Sequence, residues 1–177
     1  MKETLLSSEL IYKGRIITLK KDKVKLPNGQ ESFREVAEHA PAAVILPFEA
    51  PDKIFLVKQY RHPLKKIILE APAGLIENKE APLSAAKREL QEETGFTAKK
   101  WTKVGEHYPS PGFCDECMHF YVAESLLAGK TSFDQDEYME LTPVTLDEME
   151  DLIAKNEILD GKTMLIYLLF RKYILGK

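Results

Sequence analysis

Three glutamates lie close together on one predicted helix, where they could bind a metal ion. The segment Pro82–Thr94 contains no glycine, is rich in Ala and Glu, and repeats apolar residues at helical spacing, which predicts a helix. The second and third of these glutamates, Glu92 and Glu93, follow Glu89 by three and four positions. All three therefore share one face of that helix. Carboxylates suit a hard cation such as Mg²⁺. A solvated acidic face, with Arg88 pairing with Glu92, explains the same pattern.

The sequence also predicts the ends of this helix and the loop, strands and helices around it. Pro82 is typical of the first turn of a helix, and Gly95 is typical of the residue that follows the last helical residue. A loop, Ala71–Gly74, precedes the helix, and Thr145 with Glu148 predicts a capping box that opens a second helix. A last helix is expected over about 162–173, and strands are expected over 23–26, 32–36, 42–48, 54–60, 67–71, 101–106 and 118–123. Strands and helices mix without regular alternation, which favours an α+β fold or a three-layer sandwich over a doubly wound sheet.

The composition excludes several classes of protein. Hydrophobic residues make up 44% and charged residues 30% of the 177 residues, which is typical of a globular domain. With 25 basic and 28 acidic residues, nucleic acid is not an expected partner, and the lysines of 20–25 are interpreted as an exposed strand edge. The apolar run Met164–Phe170 is too short to span a membrane. With two cysteines and no secretion signal, we expect a cytoplasmic protein.

The acidic helix and the loop before it together resemble the Nudix box. Gly74, five residues, Glu80 and seven further residues lead to the run Arg88-Glu89-Leu90-Gln91-Glu92-Glu93-Thr94-Gly95-Phe96. The match holds at every defined position of the box. The resemblance implies a Nudix-type α/β/α sandwich of mixed sheets with an N-terminal antiparallel β extension.

The resemblance continues outside the box, toward the ADP-ribose pyrophosphatase branch of the family. That branch has a proline sixteen residues after the last glycine of the box, and here Pro111 stands sixteen residues after Gly95. The segments 59–61, 70–74 and 110–113, the last together with Asp115 and Glu116, resemble the same branch. In that branch an N-terminal hairpin is exchanged across a homodimer. We therefore expect residues 1–40 to form this extension and residues 41–177 to form the Nudix domain.

The resemblance implies hydrolysis of the pyrophosphate bond of a nucleoside diphosphate sugar. The leading substrate is ADP-ribose, which would give AMP and ribose 5-phosphate. The expected cofactor is Mg²⁺, with Mn²⁺ as the alternative ion. By position in the box, Glu89, Glu92, Glu93 and the backbone carbonyl of Ala73 would hold the metal.

The same resemblance implies three catalytic residues. Arg88 would position a glutamate through a salt bridge, and Glu92 would act beside the metal ligands. Glu137, in the acidic segment 134–140, aligns with a functional glutamate of the branch. It is either the general base or a further metal ligand, and a solvated acidic loop is the alternative.

Substrate contacts are expected from residues outside the box. Arg61 suits the phosphates or the terminal ribose, because a guanidinium pairs well with oxyanions. Arg34 could do the same from a partner subunit or form an ordinary surface ion pair. The resemblance adds Glu70, Pro111 and Gly112. For stacking on a base, the aromatic candidates are Tyr12, Phe33 and Tyr60.

Two other functions fit parts of the pattern. One is a pyrophosphatase for GDP-mannose or another nucleoside diphosphate sugar, which shares most of these motifs. The other is a non-catalytic sensor that binds ADP-ribose, although such proteins usually lose glutamates of the box. The sequence keeps Glu89, Glu92 and Glu93, which favours an enzyme.

Overall fold

The computed structural model describes residues 1–129 and 138–176. The chain forms two compact units, one of residues 1–41 and 107–117 and the other of residues 42–106 and 118–177. No helix among the described residues is long and apolar enough to cross a membrane.

The first unit contains a three-stranded antiparallel sheet. Its strands are β1 (Thr4–Lys13), β2 (Ile17–Lys25) and β3 (Glu31–His39), in the order β1-β2-β3. The predicted hairpin between β2 and β3 is confirmed, and Gly29 at its tip has a φ of +88°, which favours glycine. The expectation that the lysines of 20–25 lie on a strand edge is wrong, because β1 pairs with β2 and makes it the central strand.

A seven-stranded mixed sheet lies at the centre of the second unit. Its strands are β4 (Ala42–Glu49), β5 (Lys53–Arg61), β6 (Lys66–Glu70), β7 (Ala73–Leu75), β8 (Phe96–His107), β9 (Met118–Ala128) and β10 (Met139–Thr145). The main order is β10-β5-β4-β9-β8, with β6 paired to β5 and β7 paired to β4. The β4–β9 pair is parallel, whereas β5 pairs antiparallel with β4, β6 and β10.

Among the described residues, three helices cover the two faces of this sheet. They are α1 (Pro82–Thr94), α2 (Leu146–Ala154) and α3 (Gly161–Tyr173). On β4, Ala43 and Ile45 pack in the cluster that contains Leu90 of α1, whereas Val44 and Leu46 pack in the cluster that contains the buried residues of α2 and α3. This alternation follows from the two-residue period of a strand. The expected Nudix-type α/β/α sandwich with an N-terminal antiparallel sheet is confirmed.

The ends of the helices follow local rules. Helix α1 has the predicted bounds, with Pro82 in its first turn and Gly95 in the left-handed conformation after its last residue. The predicted capping box of α2 is confirmed, because Thr145 and Glu148 exchange both hydrogen bonds. Helix α3 begins at Gly161, where the Asp160 side chain accepts a hydrogen bond from the Thr163 N–H.

Candidate active site

Arg88 forms ion pairs with three carboxylates, one that precedes α1 and two that lie on α1. The Arg88 guanidinium donates to Glu80 through Nε at 3.1 Å and Nη2 at 3.0 Å, to Glu89 through Nη1 at 2.6 Å, and to Glu92 through Nη1 at 2.9 Å. The predicted Arg88–Glu92 pair is therefore present. We call Arg88 with Glu80, Glu89 and Glu92 the Arg88 cluster.

Charge is unevenly distributed in the Arg88 cluster. One guanidinium faces three carboxylates, and its hydrogen bonds to Glu80, first of all, raise the pKa of Arg88 above its usual range. The same hydrogen bonds lower the pKa of Glu80, so both groups stay charged near neutral pH. The cluster thus keeps an excess of negative charge that can attract a cation.

The predicted loop, residues 71–74, packs directly on the acidic face. Its last two residues, Ala73 and Gly74, pair with β4 as part of β7, and we keep the name loop for the whole segment. A methyl group built on Gly74 would lie 2.0 Å from the Glu89 carboxyl carbon, so only a glycine admits Glu89 in this position. The Ala73 N–H donates to the Glu93 carboxylate at 3.2 Å, and Glu93 is 5% exposed. The four residues predicted to hold a metal, Ala73, Glu89, Glu92 and Glu93, therefore belong to one loop and one helix that touch each other.

The donor set suits Mg²⁺ or Mn²⁺. Carboxylate oxygens and a backbone carbonyl are the ligands that such hard ions prefer, and Mg²⁺ usually keeps several waters and substrate phosphates. Within the described parts of the chain, no group of three or more acidic, histidine or cysteine side chains is placed so that it could by itself hold a metal ion. In this conformation Arg88 contacts one oxygen of Glu89 and one of Glu92. An open, partly protein-supplied shell therefore fits these residues better than a closed cage.

A second group of charges lies at the other end of the same loop. Arg61 and Glu70, both predicted to contact substrate, form a bidentate pair, with Nε donating at 2.6 Å and Nη2 at 2.7 Å. Lys162 of α3 also forms an ion pair with Glu70, and its Nζ donates to Asp160 at 3.0 Å. We call these four residues the Glu70 cluster. Glu70 is 2% exposed, and although burial raises its pKa, Arg61 and Lys162 bring the pKa below its usual range.

Lys162 was not predicted from the sequence. Asp160 is a typical residue before a helix, so it could have placed Lys162 in the first turn of α3. Nothing local could have placed Lys162 beside Glu70, which is 92 residues away in the chain.

Of the other predicted residues, Tyr60 is an exposed residue of β5 in the second unit, and the rest belong to the first unit or lie outside the described residues. Arg34 forms an ion pair with Glu3 and donates to the Phe33 carbonyl at 2.8 Å. The surface ion pair, one of the two alternatives for Arg34, is therefore present. Pro111 and Gly112 lie in a turn in which the Phe113 N–H donates to the Ser110 carbonyl at 3.1 Å. Glu137 lies outside the described residues.

Comparison with known proteins identifies the family. The NUDIX domain matches residues 38–164, and the nucleoside diphosphate sugar hydrolase N-terminal domain matches residues 3–37. The site and the sandwich fold thus define a Nudix hydrolase. The chain belongs to the Nudix family.

Individual relatives carry more specific names. An ADP-ribose pyrophosphatase of Bacillus subtilis (strain 168) is 44% identical over 165 residues, which cover 92% of this chain and 89% of the relative. A methanol dehydrogenase activator of Bacillus methanolicus is 41% identical with the same coverage. A GDP-mannose pyrophosphatase of Yersinia enterocolitica is 33% identical, covering 77% of this chain and 76% of the relative. The crystal structure of an ADP compounds hydrolase has a TM-score of 0.88 at 25% identity, covering 99% of this chain and 96% of that chain.

Proposed function

We propose that this protein hydrolyses the pyrophosphate bond of a nucleoside diphosphate sugar, with ADP-ribose as its leading substrate. The observation that carries the proposal is the complete acidic face of α1, held by Arg88 and packed against Gly74. The similarity to the Bacillus subtilis ADP-ribose pyrophosphatase supports this choice of substrate. The products would be AMP and ribose 5-phosphate.

In this proposal Ala73, Glu89, Glu92 and Glu93 hold Mg²⁺, with Mn²⁺ as the alternative. The bound ion would neutralise charge on the pyrophosphate and lower the pKa of a bound water. Arg88 holds the carboxylates of Glu89 and Glu92 in place, because its Nη1 donates a hydrogen bond to each of them. Glu137 remains our candidate for the general base.

The Glu70 cluster is the proposed contact for substrate anions in the second unit. Arg61 is 42% exposed although two of its nitrogens are bound to the buried Glu70 carboxylate. A guanidinium held in this way loses little conformational entropy when it binds a phosphate. Arg34, Pro111 and Gly112 remain proposed substrate contacts of the first unit.

GDP-mannose is the second candidate substrate. The similarity to the GDP-mannose pyrophosphatase of Yersinia enterocolitica supports it, and the Arg88 cluster would serve either pyrophosphate equally well. The complete set of box glutamates disfavours the third reading, a sensor that binds ADP-ribose without hydrolysing it.

The test compares ADP-ribose and GDP-mannose side by side, each with Mg²⁺ and with a chelator, and measures the nucleoside monophosphate released. We expect Mg²⁺-dependent release of AMP, with ADP-ribose the better substrate. A preference for GDP-mannose would keep the chemistry and replace the substrate. Hydrolysis of neither sugar nucleotide, with ADP-ribose still bound, would favour the sensor.

A homodimer and a cytoplasmic setting complete the proposal. Strand β1 lies at the edge of its sheet, every residue of it is exposed, and it carries Leu5, Leu6, Leu10, Ile11 and Tyr12. An exposed apolar edge strand is a ready surface for pairing with a second copy. Light scattering should give twice the mass of one 177-residue chain, and a monomer at micromolar concentration would contradict the dimer.

A further inference from the structure

The first turn of α3 places a lysine against the buried end of the Arg61–Glu70 pair. The Asp160 carboxylate accepts hydrogen bonds from the Thr163 N–H at 3.0 Å and from the Thr163 hydroxyl at 2.5 Å. These contacts fix Asp160 at the helix terminus, and its carboxylate also accepts from Lys162 at 3.0 Å. Lys162 is 10% exposed, so its ammonium group is held almost entirely by Asp160 and Glu70.

The buried carboxylate of Glu70 is therefore shared by two cations of different exposure. Lys162 contacts the Oε2 atom of Glu70, which also accepts from Arg61 Nη2. Arg61 Nε and Nη2 face Glu70, whereas Nη1 has no hydrogen-bond partner among the described residues. Arg61 thus presents one side of its guanidinium to solvent while Glu70 holds the other side.

The charges of the Glu70 cluster determine the positive potential that Arg61 presents to a ligand. An isolated Arg61–Glu70 pair would be neutral, and its carboxylate would cancel most of the positive potential at the exposed side of the guanidinium. Lys162 adds a positive charge at the buried side and takes up part of the charge of Glu70. Asp160 acts in the opposite direction, because its carboxylate takes up part of the charge of Lys162.

We infer that Lys162 is a positioning residue that keeps Arg61 oriented and offsets the charge of Glu70, so that the exposed side of the guanidinium can attract the pyrophosphate of the substrate. The inference rests on the proposed function, in which Arg61 contacts the phosphates. Lys162 itself touches no substrate in this account. It acts through Glu70, and the bound phosphates meet Arg61 Nη1.

The experiment compares wild-type protein with Lys162→Met, Lys162→Arg and a matched control, Lys155→Met. Lys155 is an exposed lysine that follows α2, and its ammonium group lies 4.0 Å from Asp151. For each protein, KM and kcat for ADP-ribose are measured at saturating Mg²⁺, and the Kd for ADP-ribose is measured calorimetrically in EDTA. Thermal unfolding reports whether each variant is folded.

We expect Lys162→Met to raise both KM and Kd by about tenfold, because a charge-assisted contact of the bound phosphates is weakened. Its kcat should stay within about twofold of wild type, since bound substrate and transition state lose the same contact. Lys162→Arg should restore most of the affinity, and Lys155→Met should change neither constant.

A second variant tests the sign of the effect. Asp160→Asn keeps a good residue for the helix terminus but removes the carboxylate that competes for Lys162. We expect it to lower the KM for ADP-ribose about threefold, because the cluster gains one net positive charge. Damage to the fold would not improve binding, so this variant also decides the question if Lys162→Met does not fold.

The outcomes separate the inference from the proposed function. Wild-type hydrolysis of ADP-ribose with unchanged KM and Kd in Lys162→Met would overturn the inference alone. A fall of kcat without a change of KM, or a KM that rises in Asp160→Asn, would overturn it as well. Wild-type protein that neither hydrolyses nor binds ADP-ribose would overturn the proposed function and this inference together.

Discussion

The Arg88 cluster and the Glu70 cluster arrange similar side chains with different balances of charge, because one cation faces three carboxylates in the first and two cations face two carboxylates in the second. In the Arg88 cluster one guanidinium serves three carboxylates, and the excess is negative. In the Glu70 cluster two cations, Arg61 and Lys162, surround one buried carboxylate, and a second carboxylate, Asp160, lies behind Lys162. The first arrangement suits a bound cation, whereas the second displays a cation at the surface and suits a bound anion.

The two clusters are linked by one short loop. Glu70 precedes the loop, Ala73 donates to Glu93 from within it, and Gly74 packs against Glu89. A ligand that combines a divalent cation with a pyrophosphate needs both kinds of surface. The loop therefore connects the Glu70 cluster to the acidic face of α1.

The largest effect is expected from neutralising Glu93. Glu93→Gln should lower kcat for ADP-ribose by at least about a hundredfold, because one ligand charge disappears from the proposed metal site. The amide oxygen can still accept from the Ala73 N–H, so the fold should persist. The measurement is Mg²⁺-dependent AMP release, with Glu157→Gln, an exposed glutamate, as the control. Near-normal turnover in folded Glu93→Gln protein would remove Glu93 from the site.

A smaller effect is expected from adding one methyl group to the loop. In Gly74→Ala the new Cβ would overlap the Glu89 carboxylate, which is the far end of a flexible side chain and can move away. Activity should fall on the order of tenfold to a hundredfold through the displaced carboxylate, while the free energy of unfolding changes by less than about 1 kcal/mol.

The control for this loop variant is Gly161→Ala, because a methyl group on Gly161 would meet nothing within 4 Å. Half-saturating Mg²⁺ is measured for both variants together with urea unfolding. A Gly74→Ala protein that lost stability and activity in proportion would show that Gly74 serves the fold and not the Arg88 cluster.

The Arg88 cluster could be predicted from sequence to a larger extent than the Glu70 cluster. Helix α1 has strong local signals at both ends, and the Arg88–Glu92 pair follows from a spacing of four residues on a helix. The Glu70 cluster joins three elements that are distant in sequence. Arg61 and Glu70 were predicted individually, but their pairing and the contribution of Lys162 depend on tertiary structure.

The strands that the sequence did not predict have physical reasons as well. Strand β1 has no buried face and therefore no clear alternation of apolar residues. Strand β7 contains only three residues. Strand β10 contains Pro143, which usually argues against a strand but is tolerated here because β10 lies at the edge of its sheet.

The free energy of unfolding should depend on pH through the buried carboxylate of Glu70. The pKa of Glu70 is lower in the folded protein than in the unfolded chain, so between these two values the unfolded state binds more protons. The stabilisation by Glu70 is therefore complete above the unfolded pKa and is lost as the pH falls through the folded pKa. Glu70→Gln should cost about 2 kcal/mol at pH 7, and this difference from wild type should shrink as the pH falls below about 4.

Urea unfolding of wild-type and Glu70→Gln protein at several pH values between 7 and 3 measures this difference. Glu140→Gln is the matched control, because Glu140 pairs with Lys58 at 3.1 Å on the surface. We expect the control to change stability by less than about 0.5 kcal/mol at any pH. A cost of Glu70→Gln that stayed constant over this range would mean that its charge does not stabilise the fold.

The smallest effect is expected from the hydroxyl group that ties α3 to the loop. Thr163 is fully buried, its hydroxyl accepts from the Ala71 N–H at 2.7 Å, and it donates to Asp160. Thr163→Val should lower the free energy of unfolding by about 1–2 kcal/mol, because a buried N–H loses its partner. Half-saturating Mg²⁺ should stay within about twofold, since the Gly74–Glu89 contact does not involve Thr163.

The control for Thr163→Val is Thr142→Val, because the Thr142 hydroxyl donates to the Glu140 carbonyl at 3.3 Å in an exposed hydrogen bond within β10. Valine is favoured in strands, so this change should be close to neutral. A loss in Thr163→Val no larger than in Thr142→Val would contradict the role of the hydroxyl. A large rise in the Mg²⁺ requirement of Thr163→Val would instead show that the two clusters act as one, because a change made at the Glu70 cluster would have reached Glu89 and Glu93 through the loop.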